Sequence, residues 1–227
     1  MALTGTEQSL LVFDMDGVLV DISDSYRATI AATARYFSGK TISATMIQEY
    51  KNAGGWNNDW ALAQKLVLDT AGLEVPYDEI VAVFQDYFLG KNNDGLILRE
   101  CWIPADGLLE KLAITHRLAI FTGRSRAEVD LTLARFIPSI RWRKIIADGD
   151  VANAKPAPDG LIAIAAANSG SPLTYFGDTI DDAQSARAAN VRFIGVADAR
   201  SEGLRELLEA EGAETVIENI NEIEEVL

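Results

Sequence analysis

The sequence predicts an α/β fold: a doubly wound parallel sheet carrying a small inserted α-helical domain. Two observations predict it. Short apolar runs recur along the chain, each ending at a polar residue, and from about residue 100 onward they alternate with segments of helical spacing. Runs this short and continuous suit strands buried on both faces, as in a parallel sheet.

The first strand is Leu10-Leu11-Val12-Phe13, which stops at Asp14. The stretch from about Asp21 to Arg99 then breaks the alternation and reads as helices over Ser25 to Phe37, Ser43 to Lys51, Trp60 to Ala71 and Tyr77 to Leu89. The sheet resumes with Leu118 to Phe121 before Thr122, Lys144 to Ala147 before Asp148, Leu173 to Phe176 before Gly177-Asp178, and Val191 to Val196. Helices are expected over Ser125 to Ile137, where Ser125-x-x-Glu128 has the form of a capping box, and over Pro158 to Asn168, Thr179 to Asn190 and Ser201 to Glu211. The expected division is therefore a core of residues 1–20 and 100–227 around a helical insertion of residues 21–99.

Composition limits the function classes. The 227 residues carry 20 Lys+Arg against 34 Asp+Glu, a net charge of −14, which disfavours a nucleic-acid backbone or an anionic bilayer as partner. Cys101 is the single cysteine, so no internal disulfide can form and a reducing compartment suits the chain. The opening residues show neither a basic flank nor an apolar core, and no run approaches the ~20 apolar residues of a membrane span. A soluble, cytoplasmic protein is expected. Its oligomeric state is left open.

In an open parallel sheet, ligands bind beyond the carboxyl ends of the strands. The first strand delivers Asp14-Met15-Asp16-Gly17 there, and period-two alternation sends both carboxylates one way and Met15 the other. The strand ending at Phe176 delivers Asp178, with Asp182 four residues on and expected on the same helix face. Gathering such charges without a cation is costly: two of them ~4 Å apart repel by about 1 kcal/mol in water and about 4 kcal/mol at an effective dielectric of 20. A Mg2+ ion removes that cost and prefers hard carboxylate oxygens. Thr122-Gly123 opens a helix, where a hydroxyl and free backbone N–H groups favour phosphate. Lys155, held in Lys155-Pro156-Ala157-Pro158, adds a cation on a stiff presenter.

These residues, Asp14-Met15-Asp16-Gly17-Val18, Thr122-Gly123, Lys155-Pro156 and Gly177-Asp178 with Asp182, resemble the four motifs of the haloacid dehalogenase (HAD) superfamily of hydrolases, in that family's order. The helical block resembles its small helical cap (the C1 type), inserted in a Rossmann-like core. The resemblance implies a Mg2+-dependent phosphatase acting on a small phosphorylated metabolite. Asp14 would be the nucleophile and form an aspartyl-phosphate, its ordinary pKa of ~3.9 keeping it ionised. Asp16 would protonate the leaving group and then activate water. Thr122, Gly123 and Lys155 would hold the phosphoryl oxygens. Asp14, the Asp16 backbone carbonyl and Asp178 would bind the metal, with Asp182 assisting directly or through water.

Within the superfamily, dehalogenases lack an aspartate at the Asp16 position, so Asp16 favours phosphate-ester chemistry. The phosphonate-cleaving members use a cap lysine, for which Lys51 and Lys65 are candidates, but the first motif does not suit them. Phosphomutases share all four motifs and are the nearest rival. A non-catalytic phospholigand-binding protein is the other alternative.

The cap would sort substrates, and its most unusual segment is Trp56-Asn57-Asn58-Asp59-Trp60. Trp56, Asn57 and Asn58 are candidate contacts to the leaving group. The competing expectation is that one Trp packs inside the cap and Asn57 caps the next helix. The segment Gly54 to Trp60, with Lys155 to Gly160, also resembles a branch associated with or fused to imidazoleglycerol-phosphate dehydratase, which makes a histidinol-phosphate-type substrate conceivable. His116 is expected to be structural, Cys101 and Trp102 to pack where the chain re-enters the core, and the acidic tail from Glu202 to Glu225 to form a solvated helix surface.

Overall fold

The computed structural model describes residues 8–168, 171–199, 201 and 203–227. The expectations for residues 1–7 and Glu202 lie outside these. The chain divides into two compact units, one running up to Leu19 and resuming over Ile103–Leu227, the other Val20–Trp102.

In chain order the elements are β1 (Leu10–Phe13), β2 (Val20–Asp21), α1 (Tyr26–Ser38), α2 (Ala44–Ala53), α3 (Asp59–Ala71), α4 (Tyr77–Phe88), β3 (Cys101–Trp102), α5 (Leu108–Thr115), β4 (Arg117–Phe121), α6 (Arg126–Phe136), β5 (Lys144–Ile146), α7 (Asp159–Ala166), β6 (Leu173–Gly177), α8 (Ile180–Ala189), β7 (Arg192–Val196), α9 (Leu204–Ala210) and β8 (Thr215–Ile217). Among the described residues the larger unit holds a six-stranded sheet in the order β5-β4-β1-β6-β7-β8, with every pairing parallel. The doubly wound parallel sheet expected from the apolar runs is the fold.

Because β1 lies between β4 and β6, the winding reverses direction across it. That reversal opens a crevice at the carboxyl ends of β1, β4 and β6. All four residues of β1 are buried, as a central strand covered on both faces requires. On one face Leu10, Val12, Phe121, Tyr175 and Phe193 pack against Leu161, Ile164, Ala183 and Leu208 of α7, α8 and α9. On the other, Phe13 stacks on Phe176 at 5.4 Å and meets Trp142 edge-on at 6.5 Å. Each such aromatic contributes roughly 1.5–3 kcal/mol by leaving water. Gly160 sits where an added Cβ would lie 2.2 Å from the Phe121 ring, so α7 approaches β4 that closely only with glycine there.

In the smaller unit α1, α3 and α4 bury one stripe each: Tyr26, Ile30 and Ala34; Leu62, Leu66 and Val67; Ile80, Phe84 and Phe88. The four-residue spacing, with Val67 adjoining Leu66, is that of one helix face. Tyr26 lies 4.0 Å from Phe88 between ring centroids, and Trp60 packs edge-on against Phe84 at 6.3 Å. Antiparallel β2 and β3 join where the segment enters and leaves.

Three expectations are corrected. Cys101 is exposed on β3, which among the described residues pairs only with β2 in a two-stranded sheet. The acidic tail is not continuous helix: α9 ends at Ala210, Thr215–Ile217 adds a sixth strand beside β7, and a 3-10 turn follows over Ile220–Glu225. The helix after β6 begins at Ile180, so Asp178 lies in the turn before it and shares no helix face with Asp182. His116 ends α5, with Nδ1 2.8 Å from the Thr115 hydroxyl. No helix among the described residues is long and apolar enough to cross a membrane.

Candidate active site

Asp14 follows β1 directly, and its backbone N–H donates to the Phe176 carbonyl at 2.8 Å, extending the ladder with β6 into the site. The side chain is 5% exposed. Lys155 Nζ stands 3.0 Å from Asp14 Oδ1 and 2.7 Å from Asp182 Oδ1. The Lys155 ammonium lies 4.8 Å from the Phe121 ring centroid and 5.6 Å from that of Tyr175, so π faces as well as carboxylates offset its lost hydration. The Lys155–Pro156 peptide is cis.

Asp182 is fully buried and fully engaged. As third residue of α8 it completes a capping box with Thr179: Oδ2 accepts from the Thr179 N–H at 3.1 Å and its hydroxyl at 2.7 Å, while the Asp182 N–H donates back to Oγ1 at 3.2 Å. The Tyr175 hydroxyl donates to Oδ1 at 2.6 Å. This carboxylate therefore holds Lys155 and the start of α8. The sequence signal for that role was the Thr179-x-x-Asp182 spacing.

Oxygens of Asp14, Asp178 and Asp182 all lie within 4.8 Å of one another. Gly17 makes room for Asp178: its φ is +71°, and a Cβ there would fall 1.9 Å from Asp178 Oδ2. Three hard, anionic oxygens at this separation, two of them on buried side chains, suit Mg2+. Asp14, Asp178 and Asp182 are the carboxylates that could hold an ion, Asp14 and Asp182 both being paired with Lys155 as well.

Burial changes the expected ionisation of Asp14. Desolvation raises its carboxyl to about 7, with Asp182 and Asp16 adding to the rise and Lys155 opposing it. An ordinary carboxylate value was expected from the sequence; the difference comes from a strand end that is closed to water. Burial also works against the charge of Lys155, but Asp14 and Asp182 more than offset it and hold the ammonium above its usual range. Burial likewise opposes the Asp182 charge, and Lys155, Tyr175 and Thr179 together keep that carboxyl below its usual value.

Asp16 pairs with Arg124, whose Nη2 and Nε lie 2.5 and 2.8 Å from Asp16 Oδ1. Arg124 had no place in the sequence reading, since a single arginine after Gly123 carries no pattern and its partner lies far away in the chain. Thr122 is buried at the end of β4; its N–H donates to the Ile146 carbonyl and its hydroxyl accepts from the Arg124 N–H at 3.2 Å. Gly123 is exposed beside it, ahead of the capping box of Ser125 and Glu128 that starts α6. The core candidates thus fall in one unit: Asp14, Asp178 and Asp182 in mutual reach, Lys155 paired with Asp14 and Asp182, and Asp16 two residues from Asp14.

The cap candidates belong to the other unit. Asn58, not Asn57, caps α3: its Oδ1 accepts from the Ala61 N–H at 2.9 Å and its Nδ2 donates to the Tyr77 hydroxyl at 2.9 Å. Trp56 is half-buried edge-on to Tyr50 at 5.7 Å, and its carbonyl accepts from Lys51 Nζ at 2.8 Å. Asn57 is half-buried. Lys51 also pairs with Asp59 at 2.6 Å and Lys65 with Asp69 at 2.6 Å.

The carboxylate-and-lysine cluster lies at the winding reversal of the parallel sheet, the place where open α/β sheets bind ligands. The particular family is shown by comparison: residues 11–196 match the model of the haloacid dehalogenase-like hydrolases, and the chain belongs to that family. A Phytophthora nicotianae protein named imidazoleglycerol-phosphate dehydratase is 32% identical over 202 residues, covering 82% of this chain but 42% of its own length. The chain thus spans less than half of that relative. Among solved structures, a putative phosphoglycolate phosphatase from Lactobacillus plantarum aligns over 98% of this chain and 100% of its own, with a TM-score of 0.75 at 20% identity. Phosphatase Tt82 from Thermococcus thioreducens aligns over 88% of this chain and 99% of its own, with a TM-score of 0.63 at 27% identity.

Proposed function

We propose that this chain is a Mg2+-dependent phosphatase that hydrolyses a small phosphorylated metabolite through an aspartyl-phosphate on Asp14. The observation that carries it is the approach of Lys155 to both Asp14 and Asp182, beside Asp178. A buried lysine between carboxylates at strand ends, in a family of hydrolases, fits the binding of a dianion.

An Asp14 carboxylate oxygen attacks phosphorus while the bond to the leaving oxygen breaks, and the leaving oxygen takes both electrons and a proton from Asp16. Asp16, now ionised, removes a proton from water as that water attacks the aspartyl-phosphate; the bond between phosphorus and the Asp14 oxygen breaks and phosphate departs. Lys155, the Thr122 hydroxyl and the Gly123 N–H hold the phosphoryl oxygens, and Asp182 keeps Lys155 in place. Asp14, Asp178 and the Asp16 carbonyl are the groups that would hold Mg2+, whose charge offsets that of the phosphoryl group and the clustered carboxylates.

The helical unit acts as the cap that selects the leaving group. The similarity to a protein named imidazoleglycerol-phosphate dehydratase supports an imidazole-bearing substrate of the histidinol-phosphate type. The net charge of −14 and the lone Cys101 fit a small-molecule enzyme of the cytoplasm rather than a nucleic-acid or membrane partner. A panel of phosphorylated metabolites, assayed for phosphate release with Mg2+ and with chelator, tests the proposal. Release that needs the metal and is fastest with imidazolyl alkyl phosphates supports it. Isomerisation of a sugar phosphate without net release replaces it with a mutase, and no turnover of any ester removes it.

A further inference from the structure

We infer that Arg124 is a positioning residue for the proton-transfer group Asp16, an inference that rests on the phosphatase function proposed above. Arg124 is 2% exposed, although an arginine in the turn after an edge-proximal strand is ordinarily solvated. All three of its guanidinium nitrogens have acceptors. Nε and Nη2 reach Asp16 Oδ1 at 2.8 and 2.5 Å, and Nη1 donates to the Thr132 hydroxyl of α6 at 2.8 Å. The backbone is pinned as well: its N–H donates to the Thr122 hydroxyl, and its carbonyl accepts from the Asp148 N–H at 2.8 Å.

Both contacts to Asp16 end on Oδ1, which leaves Oδ2 as the oxygen that can carry a proton to the leaving group. Two N–H groups converging on Oδ1 fix where that oxygen sits more firmly than the single point charge of a lysine would. Asp16 needs this support because its side chain is 23% exposed, whereas Asp14 and Asp182 are locked by burial. The same turn that supplies Thr122 and Gly123 for phosphate thus orients the acid. Phosphate binding and leaving-group protonation are coupled through one short segment, 122–124.

The experiment is a leaving-group series of aryl phosphates, from dinitrophenyl to unsubstituted phenyl, read as kcat/KM with Mg2+ for the wild type, R124A, R124K and T132V. This ratio reports the step in which the ester bond breaks. A well-expelled dinitrophenolate needs no proton, whereas phenolate does. R124A is expected to lower kcat/KM at least ~10-fold more for phenyl phosphate than for the dinitrophenyl ester, part of the ~100- to 10,000-fold that a positioned acid supplies. R124K and T132V are expected to show smaller losses with the same dependence, and they carry the test if R124A does not fold. In the D16A background, R124A is expected to cost little more, since there is no acid left to orient.

Equal losses across the series in the Arg124 and Thr132 variants, or additive losses in the double variant, would overturn the inference. D14N separates the two levels. An inactive D14N with leaving-group-independent R124A defeats only the positioning role, while turnover that survives D14N defeats the phosphatase function itself.

Discussion

The hydroxyl of Tyr175 donates to Oδ1 of Asp182 at 2.6 Å, in the interior of the core and not at its surface. Tyr175 is also part of the apolar layer under α7 and α8, so one residue joins the packing of the sheet to the charge network above it. Tyr175→Phe keeps the packing and removes the bond. The lost contact to a buried carboxylate is expected to cost roughly 1–3 kcal/mol in urea unfolding. Activity should fall only partly, since Thr179 and Lys155 still hold Asp182.

Asp182→Ala goes further. It strips Lys155 of one of its two carboxylates and removes the capping box of α8. Breaking a buried pair by removing one member costs about 3–5 kcal/mol. Unfolding midpoints should order as wild type, then Tyr175→Phe, then Asp182→Ala.

Asp14→Asn is expected to stabilise the metal-free protein. The folded value of about 7 lies above the ordinary 3.8, so between those values the folded state holds a proton that the unfolded state has released. Stability contributed by this group is therefore present at low pH and lost as pH rises from about 4 to 7. The variant lacks that loss, and Lys155 keeps Asp182 as its partner. The difference in Tm between variant and wild type should grow over this window and level off above it. Added Mg2+ should close the gap by stabilising the wild type more.

Gly17→Ala should disable the metal site while leaving the core intact. The new Cβ would collide with the Asp178 carboxylate and strain a backbone at φ +71°. Magnesium titrations followed by thermal shift should show weaker binding, with far less change in the unfolding of the metal-free protein.

Asn58 has a structural duty that confuses any simple test of substrate contact. Asn58→Ala removes an N-cap and should cost about 1 kcal/mol, whereas Asn58→Ser or Asn58→Asp should restore the cap. A change in KM or substrate ranking that persists in Asn58→Ser would mark a contact to substrate; kinetics that recover with the cap would mark a purely structural role.

Much of the fold was legible because the central strands are apolar on both faces and end abruptly at Asp14, Thr122 and Gly177-Asp178. The sixth strand was not, since Thr215-Val216-Ile217 is three residues long inside an acidic stretch and gains its identity from pairing with β7. Helix α5, Leu108–Thr115, was similarly too short to show a period. In the site, residue types and order pointed to Asp14, Lys155 and Asp178, but local spacing could not show how two carboxylates divide their duties. Asp182 pairs with Lys155 and closes a capping box with Thr179 as well as standing beside Asp14 and Asp178, and Arg124 meets Asp16 only through the tertiary fold. The raised Asp14 carboxyl likewise follows from burial, which no run of letters displays.

The most direct measurement is intact-protein and peptide mass spectrometry after acid-quenching the enzyme during turnover of an aryl phosphate with Mg2+. One added phosphoryl group on the peptide bearing Asp14, absent from Asp14→Asn and from chelator-treated enzyme, is the expected result. Turnover with no phosphoryl on that peptide, or a phosphoryl group mapped to a different residue, would contradict the aspartyl-phosphate mechanism.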